Sequence, residues 1–438
     1  MTDHKTPGFA TRSVHAGMSP DPATGARQTP IYQTTSYVFE SQEHAASLFA
    51  LQQLGFIYSR LTNPTVSALE ERLAALEGGV GATATSSGHA AQLLALFTFM
   101  EPGAEIVAAK RLYGGTISQF RNSFPRAFGW KTTFVDADDP ENFRAAVTGN
   151  TRCFFIESLA NPGGVVTDIE AIAKIADEAG VPLIVDNTMA TPYLCRPLEH
   201  GAHLVVHSTT KFLSGNGTSV GGAVIDSGRF NWSGSDRFQA LTGPAPEYHG
   251  LKFHETFGEL AYTFHGHAVG LRDLGTNQQP QNAFLTMLGI ETLSLRMAKH
   301  CENALKVAQY LEGHDSIDWV NYAGLPSSPY NRLAHKYLPN GAGAVFTFGL
   351  KGGYEAGVAL VDSVELFSHV ANIGDTRSLI IHPASTTHSQ LTPEEKEAAG
   401  AGPEVVRLSI GIEDVDDIIA DLAQGLDTAM AAAKSAAE

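Results

Sequence analysis

The chain has 438 residues, more than a single hydrophobic core ordinarily serves, so two domains with ample buried surface are expected. Composition is that of a globular protein, 43% hydrophobic and 17% charged, and a formal net charge of −17 argues against nucleic acid or an anionic membrane surface as a partner. The polar start, "MTDHKTPGFATRSVHAG", lacks the apolar core of a signal peptide and no apolar run approaches a membrane span, which points to the cytoplasm.

The first strong element is "NPTVSALEERLAALEGG". Asn63 can cap, Pro64 suits the first turn, and Val66, Leu69, Leu73 and Leu76 repeat at helical spacing before Gly78 and Gly79 stop the helix. "ATSSGHAAQLLALFTFM" then reads as a Ser/Gly turn opening an apolar helix. Six strand-like runs follow: "AEIVAA", "KTTFV", "RCFFIES", "VPLIVDN", "HLVVHS" and "GGAVI". Most are separated by helical segments such as "PENFRAAV" and "DIEAIAKIADEAG". Strands this uniformly apolar belong to a mostly parallel sheet covered on both faces, whose functional groups lie in loops at the carboxyl ends of the strands.

From Asp226 to about Phe264 the pattern gives way to a glycine- and aromatic-rich insertion. A helix resumes in "QNAFLTMLGIETLSLRM", followed by strands such as "GAVFTFGL" and "VVRLSIGIED" and a terminal helix from Val415. The expected organisation is an arm over 1–62, a large α/β domain over 63–277 and a smaller α+β domain over 278–438. Cys153, Cys195 and Cys301 are widely spaced and read as structural thiols, and the 17 histidines form neither HExxH nor a tight Cys/His cluster, so no metal site is indicated.

"HSTTKFLSGNG" places Lys211 just past an apolar strand. A lone lysine there ordinarily snorkels to solvent, because an unpaired buried ammonium is costly. Asp186, which ends the preceding strand in "LIVDNT", gives the lysine another meaning. A strand-end carboxylate and a strand-end amine suit pyridoxal phosphate, the first pairing with the pyridine nitrogen and the second forming a Schiff base. Ser87, Gly88 and His89 open a helix whose free N–H groups favour the phosphate, and Ser208 and Thr210 face one side if extended. Tyr58 and Arg60 in "YSRLTNPT" suit an anion, and Tyr113 in "RLYGGT" can stack on a flat ring or move a proton.

Taken in order, "YSRLTNPT", "SSGHAA", "LYGGT", "ESLANP", "VDNT", "HSTTK" and "VRLSIGIED" resemble the Cys/Met-metabolism family of fold-type-I pyridoxal-phosphate enzymes, over about residues 8 to 430. The resemblance implies a seven-stranded, mostly parallel sheet in the large domain, Lys211 as the cofactor-bearing lysine and Asp186 on the ring nitrogen. Gly88, His89, Ser208 and Thr210 would hold the phosphate, with Tyr58 and Arg60 reaching it from a neighbouring subunit of a homotetramer. Asn161 would touch the ring hydroxyl or substrate, and Arg407, helped by Ser378, would take the substrate α-carboxylate.

Within the family, "YHGLKFHETFGELAYTFHG…LRDLG…NAFLTMLGIETLSLRM" and "GDTRSLIIHPASTTH" resemble the O-acetylhomoserine sulfhydrylase branch, which implies γ-replacement by sulfide to give homocysteine and acetate. The alternatives on the same scaffold are O-succinylhomoserine sulfhydrylase, cystathionine γ-synthase and γ-lyase. The family's γ-lyases carry cysteine two residues after the stacking tyrosine, where this chain has Gly115, which weighs against a lyase. "GTNQQPQNAF" departs from the family's usual Ser-Pro-Phe-Asn run and leaves the start of the next helix open.

Overall fold

The structure is a computed structural model, and it describes residues 7–160, 164–387, 389–390, 392–393, 396 and 400–437. Asn161 lies outside the described residues.

The helix Pro64–Glu77 forms as its caps dictate: Asn63 Oδ1 accepts the N–H groups of Thr65 and Val66, and Gly78 closes the helix at φ +83°. It leads into β1 (Gly81–Thr85), β2 (Glu105–Ala109), β3 (Lys131–Val135) and β4 (Thr151–Glu157). A short hairpin of β5 (Leu159–Ala160) and β6 (Val165–Val166) precedes β7 (Leu183–Asp186), β8 (Leu204–His207) and β9 (Gly222–Asp226). Seven of these make one sheet in the order β1-β9-β8-β7-β4-β2-β3.

Direction in this sheet decides where the chemistry collects. β3, β2, β4, β7 and β8 are parallel, whereas β9 runs antiparallel to both β8 and β1. Reversal of β9 leaves β1 pointing with the parallel strands, so six strands end on one rim. The strand absent from the six apolar runs read in the sequence is β1, "GATAT", which carries no large apolar residue and gives no strand signal.

The aromatic insertion is packed core. Trp232 and Phe238 are buried, Trp232 stacks on Tyr262 with ring centroids 5.5 Å apart, and Tyr262 donates to Ala95 O at 3.0 Å. It leaves from the end of β9, on the rim opposite the strand ends described above, and returns where Asn277 bridges Thr85 and Ser86 N–H donates to Thr276 O at 2.8 Å. "GTNQQPQNAF" therefore backs the turn after β1 before Pro280 opens the helix Pro280–Glu291.

That helix and its continuation, Leu293–Glu312, lead to a second sheet. Its strands are β10 (Ile317–Asn321), β11 (Val345–Leu350), β12 (Ser368–His369), β13 (Leu379–Ile381) and β14 (Val405–Ser409), in the order β10-β11-β14-β13-β12. The terminal helix spans Val415–Ala437. Lys336 and Tyr337 tie this part to the first through Asp168 and Glu170, with Lys336 Nζ 2.8 Å from Glu170 Oε2. Among the described residues no helix is long and apolar enough to cross a membrane. Cys153, Cys195 and Cys301 are buried and unpaired with one another, and burial pushes each thiol up, Cys301 to about 12.

Candidate active site

Residues distant from one another in sequence meet in one cavity. Its lining includes Ser87, Gly88 and His89 after β1, Tyr113 in the loop after β2, Asp186 at the end of β7, and Ser208, Thr210 and Lys211 after β8. Arg407 enters from β14 of the second sheet.

Ser87 is an N-cap, its Oγ accepting Ala90 N–H at 3.1 Å, at the start of a ten-residue helix, Gly88–Phe97. The cap takes the hydroxyl and leaves the first backbone N–H groups to an anion. The cradle tolerates no side chain: a Cβ on Gly88 would lie 2.7 Å from Ser208 Cβ, and one on Gly222 would lie 2.5 Å from Ser87 C and 2.8 Å from Gly88 N. Ser208 and Thr210 reach the cavity on a turn, not on an extended segment, and Thr209 between them is fully buried. Thr210 Oγ1 also exchanges hydrogen bonds with Gly221, accepting its N–H at 3.0 Å.

Asp186 is fixed from two sides, Oδ1 accepting Thr188 N–H at 3.0 Å and Oδ2 accepting Gln92 Nε2 at 3.2 Å. Thr188 Oγ1 accepts Ser208 N–H at 2.8 Å, which links this carboxylate to the turn of the cradle. Tyr113 lies against His89, ring centroids 5.7 Å apart, and its backbone N–H donates to Glu157 Oε1 at 2.6 Å. Lys211 Nζ donates to Asn372 Oδ1 at 2.6 Å, and burial, helped by the charge of Arg407, lowers the amine's pKa to about 8. Burial also pulls the Arg407 guanidinium down to about 10, which Tyr113 opposes.

Three described residues named from the sequence do not line this cavity, two of which, Tyr58 and Arg60, were expected to act from a neighbouring subunit. Ser378 is fully buried with its Oγ on Glu413 Oε2 at 3.0 Å and accepting Gly411 N–H at 2.9 Å, so its hydroxyl is engaged away from the cavity. Asn372 takes the place beside Arg407, whose guanidinium donates to Asn372 O at 3.3 Å. Tyr58 and Arg60 sit together outside the cavity of their own chain, both exposed, with the guanidinium 5.5 Å from the Tyr58 ring centroid.

Gln92, Glu157, Thr188 and Asn372 also line the cavity and were not read from the sequence. Glu157 did carry a signal, since it ends an apolar strand as Asp186 does, and β4 and β7 pair these two residues directly. Gln92 lies four residues after Gly88, one helical turn along the same face.

These residues fit pyridoxal phosphate: an N-terminal anion cradle closed to side chains, a positioned carboxylate, and a buried amine. Gln92 Oε1 adds a buried acceptor without a hydrogen-bond partner at the cavity wall. Fold and site together define a pyridoxal-phosphate enzyme built on the fold-type-I plan.

Comparison with known proteins narrows the class. The chain belongs to the Cys/Met metabolism PLP-dependent enzyme family, which it matches over residues 10–427. It is 52% identical to an O-acetyl-L-homoserine sulfhydrylase of Leptospira meyeri, covering 95% of this chain and 96% of that one. It is 45% identical to a homocysteine/cysteine synthase of Saccharomyces cerevisiae, covering 97% and 99%. A Campylobacter jejuni crystal structure described as an O-acetylhomoserine (thiol)-lyase, which holds N'-pyridoxyl-lysine-5'-monophosphate, superposes with a TM-score of 0.93 at 41% identity, covering 96% and 100%.

Proposed function

We propose that the chain replaces the acetoxy group of O-acetyl-L-homoserine with sulfide, giving L-homocysteine and acetate for methionine biosynthesis. The observation that carries this reading is the convergence of Lys211, Asp186 and Arg407 on one cavity behind a phosphate cradle. The relatives named as sulfhydrylases and homocysteine synthases support the choice of reaction.

Bound pyridoxal phosphate supplies the electron sink that makes the substrate's α-proton acidic. Residues Gly88, His89, Ser208 and Thr210 would hold its phosphate, Asp186 its ring nitrogen and Lys211 its aldehyde carbon, with Tyr113 against the ring. Arg407 receives the substrate α-carboxylate as a bidentate partner, steadied by the Asn372 carbonyl. Once the substrate's amine has displaced it, Lys211 Nζ would move first the α-proton and then the β-proton, acetate would leave with the γ C–O electron pair, hydrosulfide would form the γ C–S bond in its place, and Lys211 would then return a proton to the β-carbon and one to the α-carbon. An amine lowered to about 8 is roughly a tenth neutral at pH 7, against well under a thousandth for an ordinary lysine, which favours its use as a base.

The same reading makes the enzyme a homotetramer with shared sites. Tyr58 and Arg60 do not line the cavity of their own chain, and the arm exposes Val38 at 98%, Leu54 at 71% and Phe49 at 60%. Apolar surface clustered on one segment marks a contact with another chain, here a second copy. We place the enzyme in the cytoplasm, in keeping with its unpaired cysteines.

The test is product analysis with O-acetylhomoserine, with and without sulfide, beside O-succinylhomoserine and cysteine controls. Homocysteine formed only from the acetyl ester and sulfide is the expected result. Release of 2-oxobutyrate and ammonia regardless of sulfide would overturn it in favour of a lyase.

A further inference from the structure

We propose that Asn372 is the holding site for the Lys211 side chain: its amide oxygen takes the ε-amine whenever that amine is free of the cofactor. This rests on Lys211 being the cofactor-bearing lysine. The contact itself is a 2.6 Å hydrogen bond from Nζ to Oδ1.

Both partners are held in place by backbone, so the contact is defined by the fold. Asn372 N–H donates to Val370 O at 2.9 Å, and its own carbonyl accepts Arg407. Two residues on, Gly374 at φ +76° donates its N–H to Ser409 Oγ at 3.0 Å. A Cβ there would fall 2.6 Å from Phe212 N and 3.0 Å from Lys211 C, so this segment lies directly on the Lys211–Phe212 peptide.

On the far side the buried Arg296 donates to Phe212 O at 2.8 Å, Leu213 O at 3.3 Å and Gly289 O at 2.7 Å. The lysine backbone is clamped between Gly374 and Arg296, and only the side chain is left to move. Its free end then has two destinations within reach of one fixed Cα: the cofactor carbon and the Asn372 amide.

The choice of amide over carboxylate has a chemical consequence. An aspartate at this distance would form an ion pair and hold the amine protonated, which defeats its use as a base. An amide oxygen accepts the same hydrogen bond without a charge, leaving the amine free to lose a proton in a site where burial and Arg407 already favour that loss.

The experiment uses the full-chain protein stripped of cofactor, acetylated with acetic anhydride over a pH series, with modification of Lys211 followed by peptide mass spectrometry against an exposed lysine. Asn372→Asp is expected to move the Lys211 labelling midpoint up by about 1–3 pH units. Asn372→Leu, which removes the acceptor at similar size, is expected to move it down and speed labelling. Arg407, Tyr113, Asp186, Glu157 and His89, the other titratable groups of the cavity, stay unchanged in both variants. Midpoints equal to wild type in both variants, each shown to rebind pyridoxal phosphate by absorbance, would overturn the proposal. Borohydride reduction of the holoenzyme separately reports the underlying reading: a pyridoxyl group on a lysine other than Lys211 would remove that reading, whatever Asn372 does.

Discussion

His207 and Glu77 meet at 2.6 Å with both side chains sealed from solvent. The same carboxylate oxygen accepts Asn187 Nδ2 at 2.8 Å, and Asn187 Oδ1 accepts Ser158 Oγ at 2.7 Å. One buried network thus ties together the ends of β4, β7 and β8, each one residue from Glu157, Asp186 or Ser208. Glu77→Ala strands several buried donors at once and should cost about 3–5 kcal/mol, whereas Glu77→Gln keeps an acceptor and should cost about 1–3 kcal/mol. Urea unfolding of the two variants checks this; equal losses would mean that the carboxylate position does not organise the strand ends.

Two glycines near the cavity should respond in opposite ways to an added methyl group. A Cβ on Gly115 meets only ring atoms, Tyr113 Cε1 at 2.5 Å and His89 Cε1 at 2.7 Å, which can swing aside. Gly115→Ala should leave stability within about 1 kcal/mol of wild type while displacing the ring proposed to stack on the cofactor, lowering kcat/KM by roughly tenfold. A Cβ on Gly222 meets the backbone of Ser87 and Gly88, which cannot yield without opening the cradle. Gly222→Ala should cost about 1–3 kcal/mol and weaken cofactor binding, readable as pyridoxal phosphate released on dilution.

The Lys211 amine gives a stability change on the alkaline side. Its folded value of about 8 lies below the ordinary 10.5, so between these values the unfolded chain binds a proton that the folded one does not. Stability from this group is therefore lowest below pH 8 and recovers as pH rises toward 10.5, by about 3 kcal/mol in all. In cofactor-free protein, Lys211→Met should be more stable than wild type at neutral pH. The difference should shrink with rising pH in urea titrations; a difference constant with pH would contradict the lowered value.

Two buried histidines act on the acid side. His265 and His300 are both pushed down by burial to about 4, and His300 Nδ1 donates to Ile410 O at 2.7 Å. Below their ordinary value of 6.5 the unfolded chain takes up protons first, so stability falls as pH drops from 6.5 to about 4, by up to about 3 kcal/mol per histidine. His300→Gln should be less stable than wild type at pH 7, with the gap narrowing through this window in thermal melts.

Legibility in the sequence followed physical signals. The caps of Pro64–Glu77 and the apolar runs of six sheet strands were readable because capping and burial leave local marks. Strand β1 left none, being glycine, alanine and threonine, and the reversal of β9 was invisible because an apolar run carries no direction. Lys211 and Asp186 could be found as charges at the ends of buried strands. Asn372 could not: a neutral side chain in "VANIGD" becomes functional only when Gly374 docks on the lysine peptide, a contact 162 residues away from Phe212 in sequence. Ser378 was named from the resemblance alone, and the direction of its hydroxyl, which donates to Glu413, is a tertiary feature that leaves no mark in the sequence.

The reversed strand also governs when the site can exist during synthesis. Among the described residues β9 is the one strand beside β1, so the Ser87–Gly88 turn emerges early from the ribosome but has no wall until Gly222 arrives. Arg407 and the segment over Lys211 follow much later, near the carboxyl end. Contacts of such long range form slowly and late, because loop closure must precede them. A nascent chain halted before β14 would lack Arg407, the group proposed to grip the substrate, and Ser409, which anchors Gly374 over the lysine peptide, so the site is complete only once its last strand is in place.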